Sequence, residues 1–428
     1  MKQLPLEGVK VVELATWVAV PTACRLLADW GADVVKIETT SGDNYRQWGE
    51  SHKTSITDDE NPIFSCTNMN KSIVALNLKT EEGVAILKKA ISQADIFATN
   101  VRIQSLEKRG LDYESVKELN PRIVYAFFSG FGVKGEDAAR PGYDSVAFWA
   151  RGGIVDWTEQ EAFPARFPAC FGDIISSSAI CSGILAAHCA REKTGESYYI
   201  SSALYANSLW CGYNNLIATQ EQYGFPVGIS GWNDKPIHPF AQFYRCKDGE
   251  WMQITIMDYN QGGFRRACKA IGLNQYIDDP RYSTLNELYK PENQPIFVKI
   301  VKDRFAEKTV AEWCQILTEN DIPHERLVHY SELCNDPQAW ENNFLQNVTF
   351  PSGRKVVLPN NPVVISNCER FGNDRLPGGV GCDTEDFLNQ LGYSDLEIAD
   401  FCRKGAVVCN NDLKSERLQT KSELAQAQ

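Results

Sequence analysis

Only five histidines occur in 428 residues, and none of the fourteen cysteines stands in a CxxC pair. That scarcity removes the usual zinc and dithiol signatures. His324 and His329 in "HERLVH" stand five apart, so on a helix they would diverge by about 140° and could not share a metal. After "DIP" the stretch reads as strand or loop, and no metal site is expected. The cysteines show no framework spacing, and Cys181, Cys189 and Cys211 fall in apolar helical stretches, where Cys acts as a small hydrophobe. Reduced thiols and a cytoplasmic location are the expectation.

Positive charge is also short: the formal net charge is −12. Nucleic-acid and anionic-membrane partners are therefore not expected, although a few local basic groups can still hold an anionic ligand. No run approaches eighteen apolar residues, so no membrane span is expected. "MKQLPLEGVKVVELATW" lacks the apolar core of a signal peptide. There is no internal repeat.

What is present is alternation. "GVKVVELA", "DVVKIE", "SIVALNLK", "DIFATN" and "RIVYAFFSG" are short β-branched runs. "TACRLLADWGA", "EEGVAILKKAISQA" and "SLEKRGLDYESVKELN" carry helical periodicity between them. The pattern predicts an α/β fold, with a parallel sheet, helices on both faces and ligands near the carboxyl ends of the strands. Residues 1–224 form this first part. A Gly/Pro/Asn-rich change of texture opens a linker and a smaller α+β domain over 225–330, with a hairpin turning at Lys247-Asp248-Gly249. Residues 331–410 return to the large domain, and 411–428 form a polar tail.

Gly130-Phe131-Gly132-Val133-Lys134-Gly135 matches GxGxxG after a strand. A dinucleotide site needs a helix starting inside that motif, and "EDAARPGYDS" is a poor helix. The first strand–helix turn, "LATWVAVPTA", holds no glycine at all. A nicotinamide-dependent oxidoreductase is thus a lesser alternative, and the glycine loop is read as offering backbone N–H groups to another ligand. Ser176-Ser177-Ser178 lacks a nucleophile elbow and reads as a close-packing helix face.

In "CFGDIISSSAICSGILAAH" one acidic residue, Asp173, follows a glycine and precedes a long run of small and apolar residues. Two readings stay open. Asp173 caps a helix, or it is a nucleophile whose ionised form is favoured by the helix dipole and whose poor solvation makes it reactive.

Seven segments in register resemble one family, the class III coenzyme A transferases of formyl-CoA transferase and CaiB/BaiF type. They are "LEGVKVVELATWVAVPTACRLLADWGADVVKIE", "SGDNYR", "NMNKSIVALNLKTEEG", "ADIFATNVRIQSLEKRGLDYESVKELNPRIVYAFFSGFGVKG", "RPGYDSVAFWARGG", "GDIISSSAICSGILAAHCAREKTGES" and "NDPQAWENN". The resemblance implies a Rossmann-like large domain, a smaller α+β domain and an interlocked homodimer. It implies that Asp173 is the nucleophile and carries an aspartyl-CoA thioester. CoA thioesters would be substrates, with no permanently bound cofactor.

Carried over by position, Arg109, Asn100, Lys71, Arg102, Gly130, Gly132 and Tyr143 become CoA contacts, with Asp144 near the site. Formyl-CoA transferase has a glutamine near the position of Val18 and a polyglycine lid, here replaced by "GISGWNDKPIHPF". Both departures point away from oxalate or formate. Trp17, Val18 and Trp232 would instead line a pocket for a larger, partly apolar acyl group. Within the family the chain looks closest to phenyllactate and 2-hydroxyisocaproate CoA-transferases of amino-acid-fermenting anaerobes. The expected acceptor is an (R)-2-hydroxy acid, and a 2-hydroxyacyl-CoA dehydratase would act downstream. Transfer to carnitine, a bile acid, or oxalate or formate is the alternative within the family.

Overall fold

The computed structural model describes residues 4–51, 56–57, 60–157, 168–220, 222, 238–366, 368 and 375–410. The chain divides into two compact units, Met1–Ile229 with Trp340–Gln428, and Ser230–Ala339. Residues 331–339, read from the sequence as the start of the return segment, group with the second unit.

In the first unit β1 (Lys10–Leu14), β2 (Asp33–Glu38), β3 (Ser72–Leu76), β4 (Ile96–Thr99), β5 (Val124–Ser129) and β6 (Tyr198–Ala203) form one sheet, all parallel. Their Val- and Ile-rich runs are buried almost continuously up to β5, as strands covered on both faces must be. The order is β3-β2-β1-β4-β5-β6. The direction in which successive strands are added switches between β1 and β4, and the crevice outside their carboxyl ends is where such sheets take ligands.

One face of the sheet is covered by α1 (Ala19–Asp29) and α2 (Phe171–Thr194), which also pack against each other. Small buried residues allow this approach: Ala19, Ala23 and Cys24 on α1, and Ser176, Ser177 and Cys181 on α2. The serine triplet is therefore split, with Ser178 facing solvent. The other face is covered by Ile86, Leu87 and Ile91 of the helix Glu81–Ser92, with Phe387 and Leu388 from near the C-terminus. The stretch read as one helix over "SLEKRGLDYESVKELN" is two, Ile103–Glu107 and Tyr113–Leu119, broken where Gly110 takes φ 60°. Among the described residues α2 alone has the length and mean hydropathy to cross a membrane; a third of that stretch is buried within the fold.

The second unit holds an antiparallel sheet of β7 (Ala241–Arg245), β8 (Trp251–Thr255) and β9 (His324–Arg326). The β7–β8 turn closes at Gly249, φ 86°. Phe240, Phe264, Phe297, Phe305 and Trp313 form its core with the helices Gly263–Ala270, Gln294–Phe305 and Val310–Glu319. His324 sits in β9 with Nδ1 2.7 Å from the Ile322 carbonyl oxygen, and His329 caps a short helix instead of facing it.

The chain then returns to the first unit with the hairpin β10 (Leu345–Thr349) and β11 (Lys355–Pro359). Near the end of the described residues, β12 (Val407–Val408) lies antiparallel to β3. Side chains finish sealing that edge. The Ile73 N–H donates to Asp383 Oδ2 at 2.8 Å and the Ala75 N–H to Thr384 Oγ1 at 3.0 Å.

Candidate active site

A cavity of about 450 Å³ opens at the carboxyl ends of β1, β4 and β5. Trp17, Val18, Asn100, Arg102, Gly130, Gly132, Tyr143 and Asp173 all line it. Residues from five separate stretches of sequence are thus brought to one place.

The β1–α1 turn supplies Trp17. With no glycine available, Trp17 itself takes a left-handed backbone, φ 67°. That conformation costs on the order of 1–2 kcal/mol for an L-residue, so neighbouring contacts must hold it. Asn100 does part of this: its Oδ1 accepts the Thr16 N–H at 3.1 Å and its Nδ2 donates to the Thr16 carbonyl at 2.8 Å. Asn100 therefore braces the loop while it lines the cavity in which it is expected to contact CoA. The Trp17 N–H donates to Asp43 Oδ1 at 3.2 Å.

Lys71 requires a correction. It is fully buried beneath the site, and Nζ donates to Glu13 Oε2 (2.7 Å), the Pro21 carbonyl (2.7 Å) and Asn68 Oδ1 (2.9 Å). All three of its donors are spent, and no phosphate can reach it. Glu13 Oε1 also pairs with Lys36 at 3.0 Å, and Lys36 pairs with Asp43 at 3.0 Å. Burial pushes the Glu13 carboxyl up, but the two ammonium groups outweigh it and hold the acid below its ordinary value. Arg109 lies outside the cavity lining, with Nε donating to the Leu78 carbonyl and Nη1 to that of Ser105. Trp232 lies outside the described residues.

The β5 loop closes on itself. A Cβ on Gly130 or Gly142 would stand 2.7 Å from the other's Cα, so both positions need glycine. The loop runs to Tyr143 without a helix, so the GxGxxG motif has no helix N-terminus for a pyrophosphate. The Gly132 N–H, expected to face ligand, donates instead to Ser129 Oγ at 3.0 Å. Arg140 lines the same cavity as Arg102, and no motif in its own stretch of sequence marks it.

Asp173 is the third residue of α2, so it is not the cap; Cys170 takes the cap position with φ 63° and no side-chain capping bond. The cap comes from elsewhere. Asp144, buried at the start of a π-helix (Asp144–Ala150), accepts the Gly172 N–H on Oδ1 at 3.1 Å. Gly172 has no room for more than hydrogen, since a Cβ there would come within 2.3 Å of Asp144 and of the Phe148 ring. Glycine before the aspartate is thus what lets Asp144 reach the helix end.

This arrangement reverses the expected electrostatics. Burial, and then the neighbouring Asp144 charge, raise the Asp173 carboxyl from 3.8 to about 7. Both outweigh the helix dipole, which favours ionisation. A carboxylate with this affinity for protons is also a stronger nucleophile once ionised. Burial raises Asp144 as well, opposed by its bonds from Trp149 and the Gly172 and Cys170 N–H groups. Asp144→Asn removes the nearby charge while keeping an oxygen for Gly172. The acid limb of kcat/KM, expected near pH 7 from Asp173, should move to lower pH, by less than the burial effect. An unmoved limb would show that Asp144 does not tune the group.

The family model for CoA-transferase family III matches residues 6–378. The chain belongs to CoA-transferase family III. It is 38% identical over 397 residues to (R)-2-hydroxy-4-methylpentanoate CoA-transferase of Clostridioides difficile, covering 92% of this chain and 98% of that one. It is 32% identical over 395 residues to cinnamoyl-CoA:phenyllactate CoA-transferase of Clostridium sporogenes, covering 92% and 95%. A solved CaiB/BaiF family protein from Brucella suis matches with a TM-score of 0.74 and 27% identity, over 91% of this chain and all of that one. The family III chain is therefore an enzyme of CoA transfer, built on the expected large α/β domain.

Proposed function

We propose that this enzyme moves CoA from an acyl- or enoyl-CoA onto an (R)-2-hydroxy acid with an aryl or branched side chain, through covalent intermediates on Asp173. The observation that carries the reading is the juxtaposition in one cavity of the Asp173 carboxylate and an aromatic wall. The Trp17 ring stands edge-on to Tyr143 at 5.9 Å and 84°, and 6.0 Å from Tyr45. An apolar acid side chain gains contact and desolvation there, whereas a short dicarboxylate would bury charge against rings. The named substrates of the two clostridial relatives, a branched and an aryl 2-hydroxy acid, support the same class.

Asp173 attacks the thioester carbonyl and expels CoA thiolate, leaving a mixed anhydride. The thiolate then attacks the aspartyl carbonyl, releasing the donor acid and leaving an aspartyl-CoA thioester. The acceptor carboxylate attacks that thioester, re-forming an anhydride and free thiolate. Attack of the thiolate on the new acyl carbonyl yields the product CoA ester and regenerates the Asp173 carboxylate. No water and no net proton is consumed, and over the whole cycle one thioester and one carboxylate are exchanged for another thioester and carboxylate. Arg102 and Arg140 at the cavity are the basic groups offered to CoA phosphates.

The working form is proposed to be a homodimer. Trp210, Tyr213, Leu216 and Ile217, close in sequence on the first unit, are all exposed apolar side chains of the kind an interface covers. The location is proposed to be cytoplasmic, with a 2-hydroxyacyl-CoA dehydratase consuming the product.

A panel of acceptor acids tests the substrate reading. Aryl and branched 2-hydroxy acids should exceed oxalate and succinate in kcat/KM by about tenfold or more. Preference for the short dicarboxylates would overturn it.

A further inference from the structure

The Trp17 turn is gripped from beneath by side chains that never reach the cavity. Lys36 Nζ donates to the Ala15 carbonyl at 2.8 Å, and Lys71 Nζ to the Pro21 carbonyl. Between these two points Asp43 Oδ1 accepts two backbone N–H groups, from Trp17 at 3.2 Å and from Tyr45 at 3.0 Å. One oxygen thus fixes the main chain under both rings of the Trp17–Tyr45 pair. Asp43 is itself buried, and its other oxygen is tied to Lys36, which is tied to Glu13.

We propose that Asp43 is the positioning residue for Trp17, and that through Trp17 it sets which acid side chains the site accepts. A tryptophan with positive φ has no intrinsic preference for the place it occupies. Its ring faces the cavity only while an acceptor holds its N–H, and the described contacts give that task to Asp43. The cluster beneath gives the acceptor little freedom to move. Glu13, Lys36 and Asp43 are each buried and each bound to the next, so a shift of one requires a shift of all. Asp43 touches no substrate in this account; it acts on specificity at one remove.

The inference rests on the reading above that the acid side chain packs against Trp17, and a double-mutant cycle separates the two. The readout is the ratio of kcat/KM for a branched or aryl 2-hydroxy acid to that for lactate, with the KM of each acid. Trp17→Ala should lower the ratio by about tenfold or more, chiefly through KM of the larger acid. Asp43→Ala should lower it by about threefold to tenfold in the parent, and not further in the Trp17→Ala background. A general weakening of the fold would reduce both acids alike and leave the ratio where it was.

An unchanged ratio in Trp17→Ala would overturn the substrate reading and the inference with it. A normal Trp17→Ala loss, with Asp43→Ala either silent or additive to it, would overturn the inference alone. If Asp43→Ala does not fold, Asp43→Asn replaces it in the same cycle. Its single carbonyl oxygen cannot serve both Lys36 and the two N–H groups, so the same pattern is expected at smaller amplitude.

Discussion

Asp173→Ala should leave CoA transfer about 10⁴-fold or more below the parent, because in the proposed mechanism the covalent route runs through Asp173. Parent enzyme incubated with an acyl-CoA and quenched should carry a mass adduct on the peptide containing Asp173, and the variant should carry none. Full activity or an adduct elsewhere would end the assignment. Asp173→Asn adds a test that does not depend on turnover. The folded carboxyl titrates near 7 against 3.8 for an ordinary aspartate. Between those values the folded chain holds a proton that the unfolded chain has released, so stability falls as pH rises through the window. The asparagine does not ionise and escapes that loss. It should therefore melt above the parent at about pH 8 and level with it at about pH 4. Equal melting at both would mean that the site does not strain its carboxylate.

The second large effect is expected far from substrate. Glu13→Ala should cost about 3–5 kcal/mol of unfolding free energy, since it strands Lys36 and Lys71 without the charge they share. Both partners are fully buried, so water cannot take over the role. Lys299→Ala makes a sharp contrast: its 2.5 Å pair with Asp303 is exposed, and its loss should be worth about 0.5 kcal/mol or less. Urea unfolding of both variants measures the difference. The Glu13 contribution is fully present at neutral pH and is lost as pH falls below its ordinary 4.5 and through the lower folded value. A Glu13→Ala protein within 1 kcal/mol of the parent, with 1 kcal/mol an order-of-magnitude threshold, would show that the buried ions contribute little.

The strands from β1 to β5 were legible as short β-branched runs alternating with helical periodicity, even though two of them carry buried ions, Glu13 in one and Lys36 in the other. The crevice followed from strand order; Asp173 stood out as a lone acid in small, uncharged company, but its proposed role came only from the family resemblance. What stayed hidden was whatever depends on groups distant in sequence. Lys71 reads as a free cation in "NMNKS" only until Glu13, 58 residues away, is set against it. Asp173 reads as a cap until Asp144 takes that work from another element. The left-handed Trp17 and Cys170 could not be read at all, since neither residue type favours that backbone and only tertiary contacts impose it. Asp43 and Tyr45 lay inside "SGDNYR", a stretch whose resemblance was visible while its task was not.

The outer edge of β3 is closed by residues from the far end of the chain, Asp383, Thr384 and Val407–Val408. During synthesis that edge stays open while the whole of Ser230–Ala339 is made. A parallel sheet with one bare, apolar edge is a template for pairing with another chain. The nascent protein must pass this interval before its own C-terminal segment can seal the strand, so the vulnerable stage of its folding is set by chain order. Truncation before residue 383 would make that passing stage permanent.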